Sequence, residues 1–284
     1  MPNSPYKHER RKTSRALLQE PTLHQDVTRR YWLPLPTNFP DEANYFTKLY
    51  QRTMAEAYGL ASKEIMAILS SGGDCLDCGA NTGYWYQKLS SEIGLDKNRY
   101  QGIEWDPGSV EEAQKNNIEV IQGDLNAALP FDGNRFSCVF GLSVLEHLLN
   151  PCRFLRESHR VLKQGGKLIL LTPNISTYFT AALIIAGKMP SSGPHPDSNN
   201  LLKSEELFKV SSEQLQWDTE SQAPVHRHLV VFSYLVLRRY LKMLGFQNIR
   251  GYGFGLYPFP NFMQPVLETI DPYHCHQMVF IAEK

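Results

Sequence analysis

The sequence predicts an α/β fold in which helices cover a doubly wound sheet. From residue 74 to residue 171, short apolar runs alternate with segments of helical periodicity. This alternation is typical of parallel strands joined by crossover helices. A glycine turn, Gly79-Ala-Asn-Thr-Gly83, follows the first apolar run and precedes a helix. In open α/β sheets, a turn at the carboxyl end of a strand is where nucleotide-like ligands bind.

Two segments precede this sheet. Residues 1–40 are polar, contain several prolines and carry a basic cluster, so we expect a loosely ordered N-terminal segment; binding of an acidic partner is the alternative. Apolar residues at helical spacing predict a helix from about residue 41 and a second short helix around Ile65 and Leu69. Together, residues 41–73 are expected to form a helical cap over the sheet or the substrate cleft.

The alternating segment predicts five strands and three helices. Asn150 is expected to be an N-cap, with Pro151 in the first turn of the helix, where its missing N–H costs nothing. The expected strands are residues 75–78, 101–105, 118–122, 137–141 and 167–171, and the expected helices are residues 84–93, 107–115 and 151–163.

Residues 174–227 interrupt the alternation. A long insertion at the carboxyl edge of a sheet is usually a lid or a substrate-binding element. Its apolar helix, residues 178–186, is too short to span a bilayer, and it is expected to pack over the cleft or dip into a membrane. Beyond it, Ser233 is expected to cap a helix that stops at Gly245, before strands at residues 248–251 and 277–282.

Composition favours a cytoplasmic protein. The 284 residues carry 29 basic and 29 acidic side chains, so no overall charge favours nucleic acid or an anionic membrane. Neither a signal peptide nor a transmembrane run is visible in the sequence. Five irregularly spaced cysteines indicate a reducing compartment. Cys75 and Cys78 are expected on opposite faces of a strand, which argues against a zinc or redox pair.

Acidic residues end the two strands after the glycine turn. Glu104 lies about 20 residues beyond that turn, where a carboxylate accepts hydrogen bonds from both ribose hydroxyls of a nucleoside. Trp105 follows it, in a position to lie against an adenine ring. Asp124 ends the next strand, where a carboxylate accepts from an adenine amino group.

With these positions, the sequence resembles the class I S-adenosylmethionine-dependent methyltransferases. Residues 76–83 resemble the first motif of that family, with Asn81 in place of its frequent middle glycine. Gly102-Ile-Glu104 and Gly123-Asp124-Leu125 are similar to its ribose- and adenine-contacting positions, and residues 136–148, 162–174 and 228–246 resemble later segments. The resemblance implies a Rossmann-like sheet of seven strands in the order 3-2-1-4-5-7-6, with the seventh strand antiparallel.

The resemblance also implies the cofactor, S-adenosylmethionine, and makes residues 74–284 a methyltransferase domain with a lid at residues 174–227. Asp77 and the region of Gly79 would meet the methionine amino and carboxylate groups. The residues expected to bind the cofactor are Asp77, Gly79, Asn81, Gly83, Glu104, Trp105, Asp124, Leu125 and Leu142.

Methyl transfer from a sulfonium is an in-line displacement, so orientation and desolvation supply most of the acceleration. A hydroxyl acceptor also needs a base of near-neutral pKa, which suits histidine. His147 is the first candidate base or orienting residue, and His228 is the second; a packing role is the alternative for both. Ubiquinone-pathway O-methyltransferases carry a metal-binding Glu-x-x-Glu-His, but Ser143 holds the first of those positions here, so no metal is expected.

The predicted function is therefore methyl transfer to a hydroxyl of a small molecule or a glycan-like metabolite. An NAD-dependent oxidoreductase is an alternative, although its G-x-G-x-x-G turn is replaced here by G-x-N-x-G. A nucleic-acid methyltransferase would carry an Asn/Asp-Pro-Pro-aromatic motif where Gly141-Leu-Ser143 stands, so no nucleic acid is expected as a partner. A non-catalytic binding module is the third alternative. The oligomeric state stays open, and no stable membrane insertion is expected.

Overall fold

The computed structural model describes residues 45–190, 192–197 and 227–284 of the chain. The predicted loose segment 1–40 and the predicted lid residues 198–226 lie outside these ranges. The helices are α1 (Tyr45–Ser70), α2 (Tyr84–Ile93), α3 (Pro107–Lys115), α4 (Pro151–Val161), α5 (Tyr178–Ile185), α6 (Tyr234–Met243) and α7 (Gln264–Ile270). The strands are β1 (Cys75–Cys78), β2 (Tyr100–Glu104), β3 (Val120–Gln122), β4 (Phe136–Leu142), β5 (Leu162–Pro173), β6 (Gln247–Phe254) and β7 (Gln277–Glu283).

The seven strands form one sheet in the order β3-β2-β1-β4-β5-β7-β6, which confirms the predicted order. Strands β1 to β5 pair in parallel, and β7 runs antiparallel to both β5 and β6. The strand order reverses at β1, so the glycine turn after β1 lies at the switch point where α/β sheets bind their ligands.

Helices cover both faces of the sheet. On one face, Phe154 and Leu155 of α4 pack with Leu237 and Leu241 of α6 against buried side chains of β4, β5 and β7. On the other face, α1, α2 and α3 contribute the apolar side chains. Cys78 belongs to the first cluster and Cys75 to the second, which confirms that this pair points to opposite faces. All five cysteines are free thiols.

The prediction of two helices before the sheet is wrong, because α1 is a single helix of 26 residues. Ala57, Ala61, Ile65 and Leu69 recur every fourth residue and are all buried in the core. This continuous stripe outweighs the cost of Gly59 inside the helix, which is about 1 kcal/mol. The second half of α1 is therefore part of a helical layer against the sheet.

Smaller differences concern element ends. Strand β5 begins at Leu162, five residues before the predicted start, and β6 continues to Phe254, three residues beyond the predicted end. Asn150 occupies the N-cap of α4 as predicted, but its side chain makes no capping hydrogen bond. Among the described residues, no helix is long and apolar enough to cross a membrane.

Candidate active site

The glycine turn depends on left-handed backbone at three positions. Gly79 has φ of 82° and Gly83 has φ of 84°, and a Cβ on either would lie 2.6 Å from a core side chain, Val144 or Ile118 respectively. Asn81 adopts φ of 48°, and its Oδ1 accepts a hydrogen bond from the Thr82 N–H at 2.7 Å. Asparagine tolerates this region better than most residues, so Asn81 preserves the turn in the place of a glycine.

Glu104 is held in position by backbone donors on both sides. Its Oε2 accepts from the Asn81 N–H at 2.9 Å, and its Oε1 accepts from the N–H groups of Trp105 at 2.8 Å and Asp106 at 3.0 Å. These bonds join the end of β2 to the glycine turn after β1. The predicted ribose carboxylate is thus oriented by the fold itself, which is the arrangement that preorganised binding requires.

The predicted adenine contacts lie at the ends of β2 and β3. The Trp105 side chain is 70% exposed. Asp124 Oδ1 accepts from both the backbone and side-chain nitrogens of Asn126, while its Oδ2 makes no hydrogen bond to the residues that the structure describes. Leu125 and Leu142, also predicted to bind the cofactor, are buried in the core clusters. Their backbone groups, and not their side chains, are therefore available to contact a bound cofactor.

Asp77 lies beneath the turn and is almost fully buried. Its Oδ2 accepts from the Tyr100 hydroxyl at 2.6 Å. Burial raises the pKa of Asp77 to about 7, although the hydrogen bond from Tyr100 opposes this shift. The side chain predicted to meet the methionine amino group is thus already engaged with Tyr100 through one oxygen.

A second group of functional side chains follows β4. A short 3-10 turn, Leu145–His147, comes directly after the strand. The Glu146 carbonyl accepts from the N–H groups of Leu229 at 2.7 Å and Val230 at 3.3 Å. These bonds bring the segment before α6 to the end of β4, so His147 and His228 face each other with ring centroids 5.2 Å apart. The fold therefore brings the two predicted catalytic histidines close together.

Both histidines donate from Nδ1 to a backbone carbonyl, since a carbonyl can only accept. His147 Nδ1 bonds Arg227 O at 3.1 Å, and His228 Nδ1 bonds Ser192 O. In this tautomer, Nε2 carries the basic lone pair. Burial lowers the pKa of both imidazoles below the ordinary value, and the backbone bonds only partly oppose it. For His228, the nearby Glu146 carboxyl group also opposes this shift. Burial therefore favours the neutral form of both rings, which is the form that a general base needs.

Glu146 is the functional residue of this group that the sequence did not single out. Its carboxyl group is buried, and its Oε2 accepts from the Thr172 hydroxyl at 2.9 Å. Burial raises its pKa, and the nearby His228 ring lowers it in part. Oε1 lies 4.0 Å from His147 Nε2. Ligand atoms of Glu146, His147 and His228 all lie within 4.8 Å of one another, so this set could also hold a divalent metal.

Aromatic and polar side chains of α1 extend the site beyond the histidines. The Tyr58 hydroxyl donates to Ser143 Oγ at 3.1 Å, and Ser143 has the unusual φ of 56° at the end of β4. The His276 ring lies between Tyr50 and Tyr257, with centroid distances of 5.9 Å and 5.0 Å. His276 Nδ1 is buried and makes no hydrogen bond within the described part of the chain. A polar group of a bound molecule would satisfy it.

The fold and these two groups define the class of protein. The strand order, the left-handed turn after β1, Glu104 at the end of β2 and Asp124 just beyond β3 match the arrangement predicted for binding a nucleoside joined to an amino acid. The histidine group stands at the end of β4, on the same edge of the sheet. This is the layout of an S-adenosylmethionine-binding transferase domain.

Comparison with known proteins agrees with this layout. The methyltransferase-domain family (Methyltransf_11) matches residues 76–170. Demethylmenaquinone methyltransferase of Staphylococcus epidermidis is 29% identical over 173 residues, which cover 54% of this chain and 70% of that protein. A probable S-adenosylmethionine-dependent methyltransferase of Mycobacterium tuberculosis is 31% identical over 107 residues, 37% of each chain. Residues 76–170 are therefore a methyltransferase domain of the S-adenosylmethionine-dependent type, and that family implies S-adenosylmethionine as the cofactor.

Solved structures resemble this chain at low identity. The putative methyltransferase in the Haloferax volcanii complex with the Trm112 activator has 15% identity and a TM-score of 0.49. The match covers 82% of this chain and 92% of that one. The [4+2]-cyclase SpnF has 16% identity and a TM-score of 0.49, with 83% of both chains covered. Nothing about the activity follows from likenesses of this size.

Proposed function

We propose that this enzyme transfers the methyl group of S-adenosylmethionine to a hydroxyl of a small molecule, with His147 as the base that removes the acceptor proton. The observation that carries this proposal is the Glu146–His147–His228 group at the carboxyl end of β4. It places two neutral imidazoles and a carboxyl group on the same edge of the sheet as the donor-binding turn.

In this proposal each residue has a separate part. The turn at Gly79–Gly83 and the carboxylates Glu104 and Asp124 bind and orient the donor. S-adenosylmethionine supplies an activated methyl group, so the protein's task is alignment and exclusion of water. When bound, S-adenosylmethionine would give up its methyl group and leave as S-adenosylhomocysteine, and His147 Nε2 would accept the proton of the acceptor hydroxyl. His228 orients the acceptor on the opposite side, and Glu146 stabilises the imidazolium that forms.

The surrounding residues favour a planar or polar acceptor of modest size. Tyr50, Tyr257 and His276 present ring surfaces on which a planar molecule can stack. The buried His276 Nδ1 offers one further polar contact. A glycan-like metabolite with a free hydroxyl also meets these requirements. The relatives suggest a second candidate acceptor, demethylmenaquinone, because the Staphylococcus epidermidis relative described above carries that activity in its name.

The test is a comparison of His147→Ala with His159→Ala, a control histidine that packs on Phe246 outside the site. Release of S-adenosylhomocysteine is measured with a catechol, a simple hexoside and demethylmenaquinone. His147→Ala should lose about 10²- to 10⁴-fold in kcat while S-adenosylhomocysteine binds as before. Undiminished turnover of that variant would remove His147 from the mechanism.

The pH profile and chelation separate a base from a metal ligand. Because burial lowers the pKa of His147, kcat/KM should be flat near pH 7 and fall only below about pH 6.5, the ordinary value. The sequence prediction of no metal requires that turnover survive EDTA. If EDTA abolished turnover and an added divalent metal restored it, the Glu146–His147–His228 group would be a metal site and the base assignment would fail.

A cytoplasmic location is part of the same proposal. The free thiols of all five cysteines suit a reducing compartment.

A further inference from the structure

Helices α4 and α6 present one outward surface on the face of the sheet opposite α1. In α6, Tyr234, Leu237 and Leu241 point into the core and Tyr240 is partly buried beside it, while most of the other side chains of the helix are exposed. We call this surface the α4–α6 face. It consists of Arg153 and Arg156 of α4 and Leu235, Val236, Arg238, Arg239, Lys242 and Met243 of α6, all of them exposed.

The two helices form this face together because they are in direct contact. The Tyr240 hydroxyl of α6 donates to the Cys152 carbonyl of α4 at 3.3 Å. At the other end, the His159 ring packs edge-on against Phe246, with centroids 4.8 Å apart. Arg156 also lies close enough to Tyr240 to influence its ionisation. The arginines of α4 therefore flank the outward side of α6.

The charge of the face is strongly unbalanced. Helix α6 contains two arginines and one lysine and no acidic residue. The one carboxylate of α4, Glu157, is paired with Arg160 at 2.7 Å. Among the described residues, none of the five cations of the α4–α6 face takes part in an ion pair. Since the whole chain has no net charge, these five cations are a local concentration.

Large apolar side chains lie among these cations. Leu235 is 56% exposed, Val236 51% and Met243 74%. A solvated basic helix has no need of exposed leucine, valine and methionine. Exposed apolar side chains next to Lys and Arg suit the interface of an anionic bilayer, where apolar groups enter the boundary and arginine stems also contact it.

We propose that the α4–α6 face docks the enzyme on the surface of an anionic lipid bilayer. The five cations meet the lipid phosphates, and Leu235, Val236 and Met243 enter the boundary between head groups and acyl chains. The helix start that follows His228 places this face beside the histidine group, so a docked enzyme would stand with the edge of its site near the bilayer. The contact is peripheral, consistent with the absence of a spanning helix among the described residues.

The alternative ligand for a basic face is nucleic acid. Phosphate backbones bind the cations but make few favourable contacts with the three exposed apolar side chains, Leu235, Val236 and Met243. Lipid uses both kinds of residue at once, so the two ligands predict different effects of removing the aliphatic side chains.

The experiment is sedimentation of the full chain with vesicles of phosphatidylglycerol and phosphatidylcholine in equal parts. The double variant Arg238→Gln with Arg239→Gln should partition about 25-fold more weakly. Each cation near an anionic surface contributes about fivefold, and the two factors multiply. Vesicles of phosphatidylcholine alone should bind little, and high salt should release the protein. The control removes the same charge from the opposite side of the sheet, as Lys97→Gln with Lys115→Gln, and should bind like the unchanged chain.

A second pair of measurements tests the apolar part. Leu235→Ser with Val236→Ser should weaken partitioning while leaving its salt dependence unchanged. Cys152 is the exposed cysteine of the five and lies in α4, so an environment-sensitive dye on it should report an apolar surrounding when vesicles are added.

Three outcomes would overturn the proposal: no binding to anionic vesicles, equal binding of the Arg238/Arg239 variant and its control, or unchanged partitioning of the Leu235/Val236 variant. Tight binding of a duplex oligonucleotide in place of vesicles would assign the face to nucleic acid.

Discussion

Replacing Glu104 by glutamine changes the charge of the donor site with little change in volume. In the structure, Glu104 accepts three backbone hydrogen bonds, one through Oε2 and two through Oε1. A glutamine amide has one accepting oxygen, so its NH₂ group would face at least one of these backbone N–H groups in either orientation. Two effects follow, one on donor affinity and one on the turn.

The affinity effect comes from the ribose hydroxyls that the carboxylate is expected to bind. A hydrogen bond to a charged group contributes about 1.5–3 kcal/mol, and the amide can retain one of the two. Loss of the other hydrogen bond corresponds to a dissociation constant that is about 10- to 150-fold larger. The turn itself loses an acceptor for a backbone donor, which costs about 1–3 kcal/mol of the free energy of unfolding.

Isothermal titration with S-adenosylhomocysteine measures the first effect, and urea denaturation measures the second. Glu119→Gln is the matched control, because Glu119 is an exposed carboxylate ahead of β3. We expect the control to bind and unfold like the unchanged chain. An unaltered dissociation constant for Glu104→Gln, in a variant that folds, would refute the ribose assignment and the reasoning from the strand ends.

Two further predictions concern the acceptor side of the molecule. Arg52→Ala removes the cation that bonds the buried Glu268 carboxylate at 3.2 Å, and should lower the free energy of unfolding by about 2–4 kcal/mol. Urea denaturation of this variant is compared with that of Lys48→Ala, an exposed control. Equal denaturation midpoints for the two variants would contradict the prediction. Burial lowers the pKa of His276 to about 4, so the unfolded chain binds its proton more tightly. Stability should therefore fall as pH drops from about 6.5 to 4, by up to about 3 kcal/mol, and less so in His276→Gln; identical pH curves would exclude His276 as the cause.

The donor half of the site was predictable because its residues are set by local rules. Strand ends, a glycine turn and a carboxylate about 20 residues further on are all close in sequence, and the parallel sheet brings successive strand ends to one edge. Glu104 and Asp124 accordingly lie where the sequence placed them. The hydrogen bonds that orient Glu104 were not predictable, because they depend on the conformations of Asn81 and the turn in space.

The acceptor half depended on contacts between distant segments. His147 and His228 are eighty residues apart, and their meeting rests on backbone bonds from Leu229 and Val230 to Glu146. The sequence matched Glu146 only to the second glutamate of Glu-x-x-Glu-His and gave it no role of its own, because a carboxylate in a short turn is normally solvated. Its burial follows only from the packing of the segment before α6.

The sequence by itself determined the α/β class through its short-range periodicity, and it predicted the donor-binding positions from the spacing of the strand ends. The strand order came from the resemblance to a known family. Tertiary structure alone decided that α1 is one helix, because a buried stripe outweighs a local glycine. It also decided the grouping of Glu146 with two histidines and the basic, partly apolar surface of α4 and α6. Each of these requires side chains from separate segments to share one environment, and linear spacing carries no information about that.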